Sequence, residues 1–288
     1  MTGERGSGGV SGIGIEYDPH VLHHVFDGPR GPIGWGETGD GPPLVLLAGL
    51  GSTRSIWGEL PRLLGRRFTV LAPDNRGVGA SRGGDPFTLA GAAADLVCLL
   101  DHRGLERVHL LGASMGGLVA LLTALEAPDR VSRLVALSCA GHLSTHGRRL
   151  LEVLHDLLLH LPASRVGHAL MTLAFAPPAH ESMPGFIRDA ASLYGPDPAD
   201  VPGALAQVEH LLDGWDLRPR LAGLALPTLV VAGLRDPVVA PEDTAELALL
   251  IPGAERLDLP HAAHSVLAEG GGELLERVVG FLVAPNRP

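Results

Sequence analysis

The sequence predicts an α/β fold, in which helices cover both faces of a mostly parallel β-sheet. Short continuous apolar runs alternate with helical stretches from about residue 21, and such runs are typical of strands buried on both faces. Residues 143–213 interrupt this alternation with helical stretches alone. The 288 residues are 45% hydrophobic, which is enough for a large buried core. The helical block is therefore expected to form a cap over the carboxyl edge of the sheet, where open α/β sheets bind ligands.

Turn residues and apolar periodicity predict where each strand and helix begins and ends along the chain. Residues 1–18 are Gly-rich and polar, which predicts a flexible tail. The predicted strands are 21–26, 32–35, 44–48, 68–72, 108–111, 131–138, 228–232 and 255–259. The predicted helices are 55–64, 89–102, 115–126, 241–250 and 272–282, with 148–160, 165–175 and 203–212 inside the insertion. Residues 19–142 and 214–288 are thus assigned to the core, and residues 143–213 to the cap.

Charge and cysteine content exclude several classes of protein. The net charge is −10, which disfavours binding to nucleic acid. All 22 basic residues are Arg, so Schiff-base lysine chemistry and a Walker-type lysine are excluded. Cys98 and Cys139 are the only cysteines, too few for a disulfide scaffold or a four-cysteine zinc site. Without an apolar run of signal-peptide or membrane-spanning length, the chain is expected to be a cytoplasmic protein that makes no membrane contact.

The segment Gly112-Ala113-Ser114-Met115-Gly116 carries the sharpest local signal. It follows a predicted strand directly and opens a predicted helix. A serine on such a tight turn is strained and held clear of the sheet, and the residues two positions before and after it must be small. The helix that begins here directs backbone N–H groups at the same place. Ser114 is therefore predicted to be a nucleophile, with an ordinary glycine-rich strand-to-helix turn as the alternative.

A serine hydroxyl needs a base to remove its proton and a carboxylate to orient that base. Asp236 follows the strand at 228–232, which places it at the same sheet edge as Ser114. Its alternative is a turn aspartate before proline. His261 and His264 both follow the last strand, and His264 is preferred because the chain should turn back toward the serine there. Their His-x-x-His spacing lacks the glutamate and the i, i+4 geometry of a zinc helix, so neither a metal nor another cofactor is predicted.

An oxyanion formed on the substrate needs two hydrogen-bond donors. The N–H of Met115, the residue after the serine, is one candidate. The Gly-rich loop after the first buried strand supplies the other, with the N–H of Leu50 preferred. A plain Gly-rich loop is the alternative for this second segment.

With these residues in place, the chain resembles the α/β-hydrolase fold superfamily over nearly all of residues 21–284. The residues from Asp74 to Ser81 match the family's D-x-R-G-x-G-x-S segment, and residues 227–233 match the strand before its acid. Small capped serine esterases and lactonases are the most similar members, including enol-lactonase-like, methylesterase-like and perhydrolase-like proteins. The resemblance implies an eight-stranded sheet, a triad of Ser114, Asp236 and His264, and an oxyanion hole at Leu50 and Met115. It also implies that Arg76 and Ser81 brace loops.

These residues predict a serine hydrolase that cleaves a carboxylic ester or lactone of a small, largely apolar molecule. The candidate substrate contacts are His142 and four apolar insertion residues, Met171, Phe175, Met183 and Phe186. Packing of the cap onto the core is the alternative role for those four residues. Two other functions stay open: a thioesterase or acyltransferase that acts on a chain bound to an acyl carrier protein, and a non-hydrolytic member that binds or cyclises a ligand. The sequence gives no oligomeric state.

Overall fold

The computed structural model describes residues 22–194 and 197–285, so the predicted tail at 1–18 lies outside it. Its strands are β1 (Leu22–Gly28), β2 (Gly31–Thr38), β3 (Pro43–Leu47), β4 (Thr69–Pro73), β5 (Val108–Ala113), β6 (Val131–Leu137), β7 (Thr228–Gly233) and β8 (Glu255–Leu259). They form one eight-stranded sheet in the order β1-β2-β4-β3-β5-β6-β7-β8. β2 runs antiparallel to β1 and β4, and every other pair of neighbours is parallel. The prediction of a mostly parallel sheet is confirmed.

The helices lie mostly where the apolar periodicity predicts them. Those of the described residues are α1 (Leu60–Leu64), α2 (Leu89–His102), α3 (Met115–Glu126), α4 (Thr145–His160), α5 (Ala163–Ala174), α6 (Pro177–Ser182), α7 (Pro184–Tyr194), α8 (Val201–Leu212), α9 (Arg218–Leu221), α10 (Pro241–Leu250) and α11 (Val266–Val283). No helix in this part of the chain is long and apolar enough to cross a membrane.

Two helices of the insertion lie between the predicted helices 165–175 and 203–212, where no helix is predicted. α6 and α7 begin at Pro177 and Pro184. A proline fits the first turn of a helix because its missing N–H would have no intrahelical partner there. The predicted helix at 55–64 is not continuous in the structure. It is a short 3-10 turn at Arg54–Trp57 followed by α1, because the backbone of Gly58 between them takes a positive φ of 48°.

The sheet separates two apolar layers, and alternate residues of a central strand face each of them. Val45 and Leu47 of β3 pack in the layer that holds α2, α3 and α10. Leu44 and Leu46 of the same strand pack in the layer that holds α1 and α11. This two-sided burial explains why the central strands are continuous apolar runs. Helices α4 to α8 lie between β6 and β7 in the chain, the place of the predicted insertion.

Candidate active site

Ser114 stands on a strained turn between β5 and α3. Its φ is 54° and its ψ is −121°, a conformation that costs a residue other than glycine about 1–3 kcal/mol. The backbone N–H of Ser114 donates to the carbonyl of Leu137, at a distance of 2.9 Å. A Cβ atom on Gly112 would collide with the carbonyl of Gly116, and one on Gly116 would collide with the carbonyl of Leu47. The turn therefore requires glycine at both positions.

Asp236 and His264 form a hydrogen-bonded pair. The Nδ1 atom of His264 lies 2.8 Å from Oδ2 of Asp236. The other carboxylate oxygen, Oδ1, accepts from the N–H groups of Val238 and Val239, at 2.7 and 3.0 Å. A carboxylate held by three donors has a fixed orientation, so it favours the tautomer in which Nδ1 carries the proton. The Nε2 atom of His264 is then left to accept a proton.

The same pair shifts the titration of the imidazole. Burial lowers the pKa of His264, because it penalises the charged form. The negative charge of Asp236 and its hydrogen bond act in the opposite direction and outweigh burial, so the pKa of His264 lies above the ordinary histidine value. The side chain of His264 keeps 18% of its surface exposed, whereas that of Asp236 keeps 2%. An imidazole in this setting can hold a proton taken from a neighbouring hydroxyl.

The loops that carry these side chains are tied to one another at the carboxyl edge of the sheet. Leu234 N–H donates to the carbonyl of Leu259 at 3.0 Å, and Arg235 N–H donates to that of Ala262 at 2.9 Å. From the end of β6, Ser138 Oγ donates to the carbonyl of His264 at 2.9 Å. Because the preceding residue, Leu137, accepts from Ser114, the end of β6 holds both the serine turn and the histidine loop.

Glu269 fastens the histidine loop to the insertion. Its Oε2 atom accepts from the N–H of Ala263 at 2.8 Å, and its Oε1 atom accepts from the N–H of Ala176 at 2.9 Å. Ser265 N–H adds a bond to the carbonyl of Ala174 at 2.8 Å. Glu269 is not recognisable from the sequence, because nothing in its local sequence distinguishes it from other glutamates of the chain.

No hydrogen bond joins the Ser114 hydroxyl to His264 among the described residues. Such contacts are often long in an active site without substrate and tighten when substrate binds. His261, the other histidine considered, is exposed, and its Nε2 atom lies 3.2 Å from the backbone oxygen of Glu269. The acid therefore contacts the preferred histidine, His264. Within 22–194 and 197–285, no group of three His, Cys, Asp or Glu side chains is placed to hold a metal ion.

The N–H groups of Leu50 and Met115 donate to no other described residue. They flank Ser114 from two sides. Met115 follows it in the chain, and the position of a Cβ on Gly49 lies only 3.6 Å from the Cβ of Ser114. The loop of Leu50 is braced from below by Asn75, whose Nδ2 atom donates to the carbonyl of Ala48 at 2.9 Å. Two segments that meet at Ser114 thus each carry a backbone N–H without a described acceptor.

A pocket of about 150 Å³ opens at Ser114, between the sheet edge and helices α4 and α5. Its lining is predominantly apolar, and Ser114, Leu50 and Met115 lie in its wall. The remaining lining residues are Leu118, Cys139, Ala140, His142, Leu143, Ser144, Gly147, Leu150, Leu151, Val153, Leu154, Leu157, Leu170, Leu173, Leu211, Trp215, Val238, Val239 and Asp243. The volume is similar to that of an apolar cavity that holds benzene, about 150 Å³.

The predicted substrate contacts divide into two groups. His142 lines the pocket, and its Nδ1 atom lies 3.1 Å from Oε2 of Glu246. Met171, Phe175, Met183 and Phe186 do not line this pocket. The first three belong to a separate apolar cluster of α5, α6 and α7, and Phe186 packs edge-on against Phe175. Their hydrophobic character thus serves packing mainly within the insertion, whereas the alternative predicted for them is packing of the cap onto the core.

Six leucines of α4 and α5 line the pocket. Leu150, Leu154 and Leu157 are spaced by four and three residues, and Leu151 precedes Leu154 by three, so the four share one face of α4. This stripe was visible in the sequence. The sequence does not show that the stripe faces Ser114, because that depends on how α4 is placed over the sheet.

The fold and the site define the class of protein. An eight-stranded, mostly parallel sheet carries a serine on a strand-to-helix turn, and a histidine–aspartate pair follows the last two strands. The family model of the α/β hydrolase fold matches residues 42–271. The chain belongs to this family, and the protein is a hydrolase of the α/β fold.

Individual relatives agree with that assignment. The chain is 30% identical over 229 residues to the "Putative carbamate hydrolase RutD" of Pseudomonas syringae pv. syringae, covering 78% of this chain and 88% of the relative. A solved hydrolase from Pseudomonas aeruginosa is 30% identical with a TM-score of 0.80, covering 91% of this chain and 98% of that one. The enol-lactonase of Burkholderia xenovorans has a TM-score of 0.82 at 24% identity, covering 91% and 100%, which shows a shared fold.

Proposed function

We propose that the protein is a serine hydrolase that cleaves a carboxylic ester or lactone with a small, largely apolar acyl or ring portion. One observation carries the proposal. The Asp236–His264 pair and the strained Ser114 turn are fastened to the same end of β6, and Ser114 lies in the wall of an apolar pocket. A serine becomes a nucleophile when a histidine oriented by a carboxylate removes its proton.

The proposed reaction has two stages. Ser114 Oγ attacks the carbonyl carbon while His264 Nε2 takes the hydroxyl proton, and Asp236 stabilises the resulting imidazolium. The N–H groups of Leu50 and Met115 bind the oxyanion, and donors of this kind contribute about 3 kcal/mol each. His264 then protonates the leaving oxygen, and an acyl group remains on Ser114. A water that His264 deprotonates releases the acid and restores the serine.

The relatives named carbamate hydrolase suggest a second substrate class. Carbamate is a small polar anion, and its C–N bond would release ammonia. The pocket beside Ser114 is lined mainly by apolar side chains, which offer no hydrogen bonds to such an anion. Apolar surface favours an apolar group by about 25 cal/mol per Å² buried. This lining supports an ester or lactone over carbamate.

Labelling and hydrolysis test the proposal together. A fluorophosphonate probe should label the wild-type protein on Ser114, and Ser114→Ala should abolish both labelling and hydrolysis of p-nitrophenyl hexanoate. Ser182→Ala, on an exposed residue of α6, is the matched control and should behave as wild type. Ammonia release from carbamate is measured in parallel. Full hexanoate hydrolysis by Ser114→Ala, or turnover of carbamate but of no ester or lactone, would refute the proposal.

A further inference from the structure

Helix α8 of the insertion docks directly on the loops beneath it. Gly203 packs against Gly77 so closely that a Cβ on Gly203 would collide with the carbonyl of Gly77. One residue later, the Cβ of Ala204 lies 3.4 Å from the position of a Cβ on Gly51. Because these residues lie in the first turns of α8, the helix has little freedom to shift relative to the loop that contains Gly51.

Gln207 adds the polar contact of this interface, one turn after Gly203 and Ala204. Its side chain is completely buried. Its Oε1 atom accepts from the N–H of Gly51 at 2.7 Å, and its Nε2 atom donates to the carbonyl of Arg76 at 3.0 Å. One amide thus satisfies two backbone groups that would otherwise be buried without partners, each at a cost of about 1–3 kcal/mol.

The position of Gly51 gives this contact a consequence for the active site. Asn75 holds the loop at Ala48, and Gln207 holds it at Gly51. Leu50 lies between the two anchors, and its own N–H donates to no described residue. Its side chain packs against the apolar cluster that includes Ala204 and Val208 of α8. The orientation of the Leu50 N–H is therefore fixed partly by the insertion.

We infer that Gln207 is a positioning residue, through which helix α8 fixes the loop whose Leu50 N–H binds the oxyanion. The inference rests on the proposed serine-hydrolase function. A displacement of about 1 Å in a catalytic group can reduce a rate a hundredfold, and loss of one oxyanion donor reduces kcat by about 10²–10³-fold. A loosened donor should therefore lower kcat and leave KM almost unchanged, because the apolar pocket that binds the substrate is intact.

Three variants separate positioning from stability. Gln207→Leu removes both hydrogen bonds with little change in size. Gln207→Glu keeps an oxygen for the N–H of Gly51 and loses the donor to Arg76. Asp200→Asn is the matched control, since Asp200 is a buried residue of the same interface that accepts from Gly79 N–H at 2.9 Å and from Arg82 at 3.1 Å, away from the Leu50 loop.

The measurements are kcat and KM for p-nitrophenyl hexanoate, the rate of fluorophosphonate labelling, and Tm. Gln207→Leu should lower kcat and the labelling rate about tenfold or more, with KM within about twofold. Gln207→Glu should recover most of kcat even where its Tm is no higher. Asp200→Asn should keep kcat within about twofold of wild type.

Two results would overturn the inference. In the first, Gln207→Leu keeps the wild-type kcat. In the second, kcat follows Tm alone across the three variants, so that Gln207→Glu recovers no activity beyond its stability. If Gln207→Leu does not fold, the comparison of Gln207→Glu with Asp200→Asn decides by the same criterion. An unlabelled, inactive wild-type protein would instead count against the proposed function.

Discussion

The conformation that presents the Ser114 hydroxyl strains the backbone and therefore lowers the stability of the fold. Its positive φ disfavours any side chain with a Cβ atom, whereas glycine adopts it freely. Ser114→Gly should therefore unfold at higher urea than Ser114→Ala, by about 1 kcal/mol in unfolding free energy after the entropy that glycine gains in the unfolded state. Both variants should be inactive. Equal stability of the two, or a less stable glycine variant, would show that the turn is not strained.

The protonation state of His264 should make the activity depend on pH. The base function that we propose for His264 requires the neutral form, and its pKa is raised above the ordinary histidine value because Asp236 outweighs burial. Activity should therefore fall on the acid side through an apparent pKa above about 6.5. Asp236→Asn removes the charge and leaves burial, so the acid limb should move to lower pH while kcat falls by orders of magnitude, about 10⁴-fold in comparable triads. The measurement is kcat/KM against pH. An unmoved acid limb in Asp236→Asn would contradict this assignment.

At the scale of the element, the sequence predicts those strands and turns that are determined by residues close together in the chain. The buried strands are apolar runs, and the Ser114 turn is recognisable from its glycines and from the elements that flank it. The glycine requirement is visible in the structure as collisions that any Cβ would cause at Gly112 and Gly116. These features depend on residues adjacent in the chain, so they can be recognised from the sequence alone.

Contacts between elements that are distant in the chain cannot be predicted from the sequence pattern. Gln207 and Glu269 each bridge segments far apart in the chain, 156 residues for the Gly51 contact and 93 for the Ala176 contact. The apolar residues of the insertion show the same limit. Phe175 and Leu154 are equally hydrophobic in the sequence, yet only Leu154 lines the pocket, because the placement of helices over the sheet decides which face meets Ser114.

Helix α4 should set the size of the acyl group that the pocket accepts. Leu154 lies in the lining, and a larger side chain there would occupy part of its roughly 150 Å³. Leu154→Trp should reduce kcat/KM for p-nitrophenyl octanoate at least tenfold relative to the acetate ester. Leu159→Trp is the control, because Leu159 is half exposed on the same helix and does not line the pocket. An unchanged octanoate-to-acetate ratio in Leu154→Trp would show that the acyl chain binds elsewhere.

At the scale of the whole molecule, the fold gathers the candidate site residues at one edge of the sheet. The loops after β3, β5, β7 and β8 bring Leu50, Ser114, Asp236 and His264 to that edge, and the insertion closes over it. The core beneath consists of two apolar layers with few polar groups. A titratable side chain inside this core therefore affects the stability of the entire fold.

His109 of β5 is a titratable side chain that is partly buried next to this core. Burial, together with the positive charges of Arg133 and Arg107, lowers its pKa to about 4. The unfolded chain binds a proton at this residue below about pH 6.5, and the folded protein does not until about pH 4, so stability is present above pH 6.5 and is lost as pH falls through this window.

His109→Leu removes that dependence of stability on pH. Between pH 7 and pH 4.5, wild type should lose about 1–2 kcal/mol more than His109→Leu, with allowance for solvent screening. Urea unfolding at the two pH values measures the difference, and His160→Gln, on an exposed residue at the end of α4, should lose as much as wild type. The same acid-induced loss in His109→Leu and wild type would place the pH dependence elsewhere in the molecule.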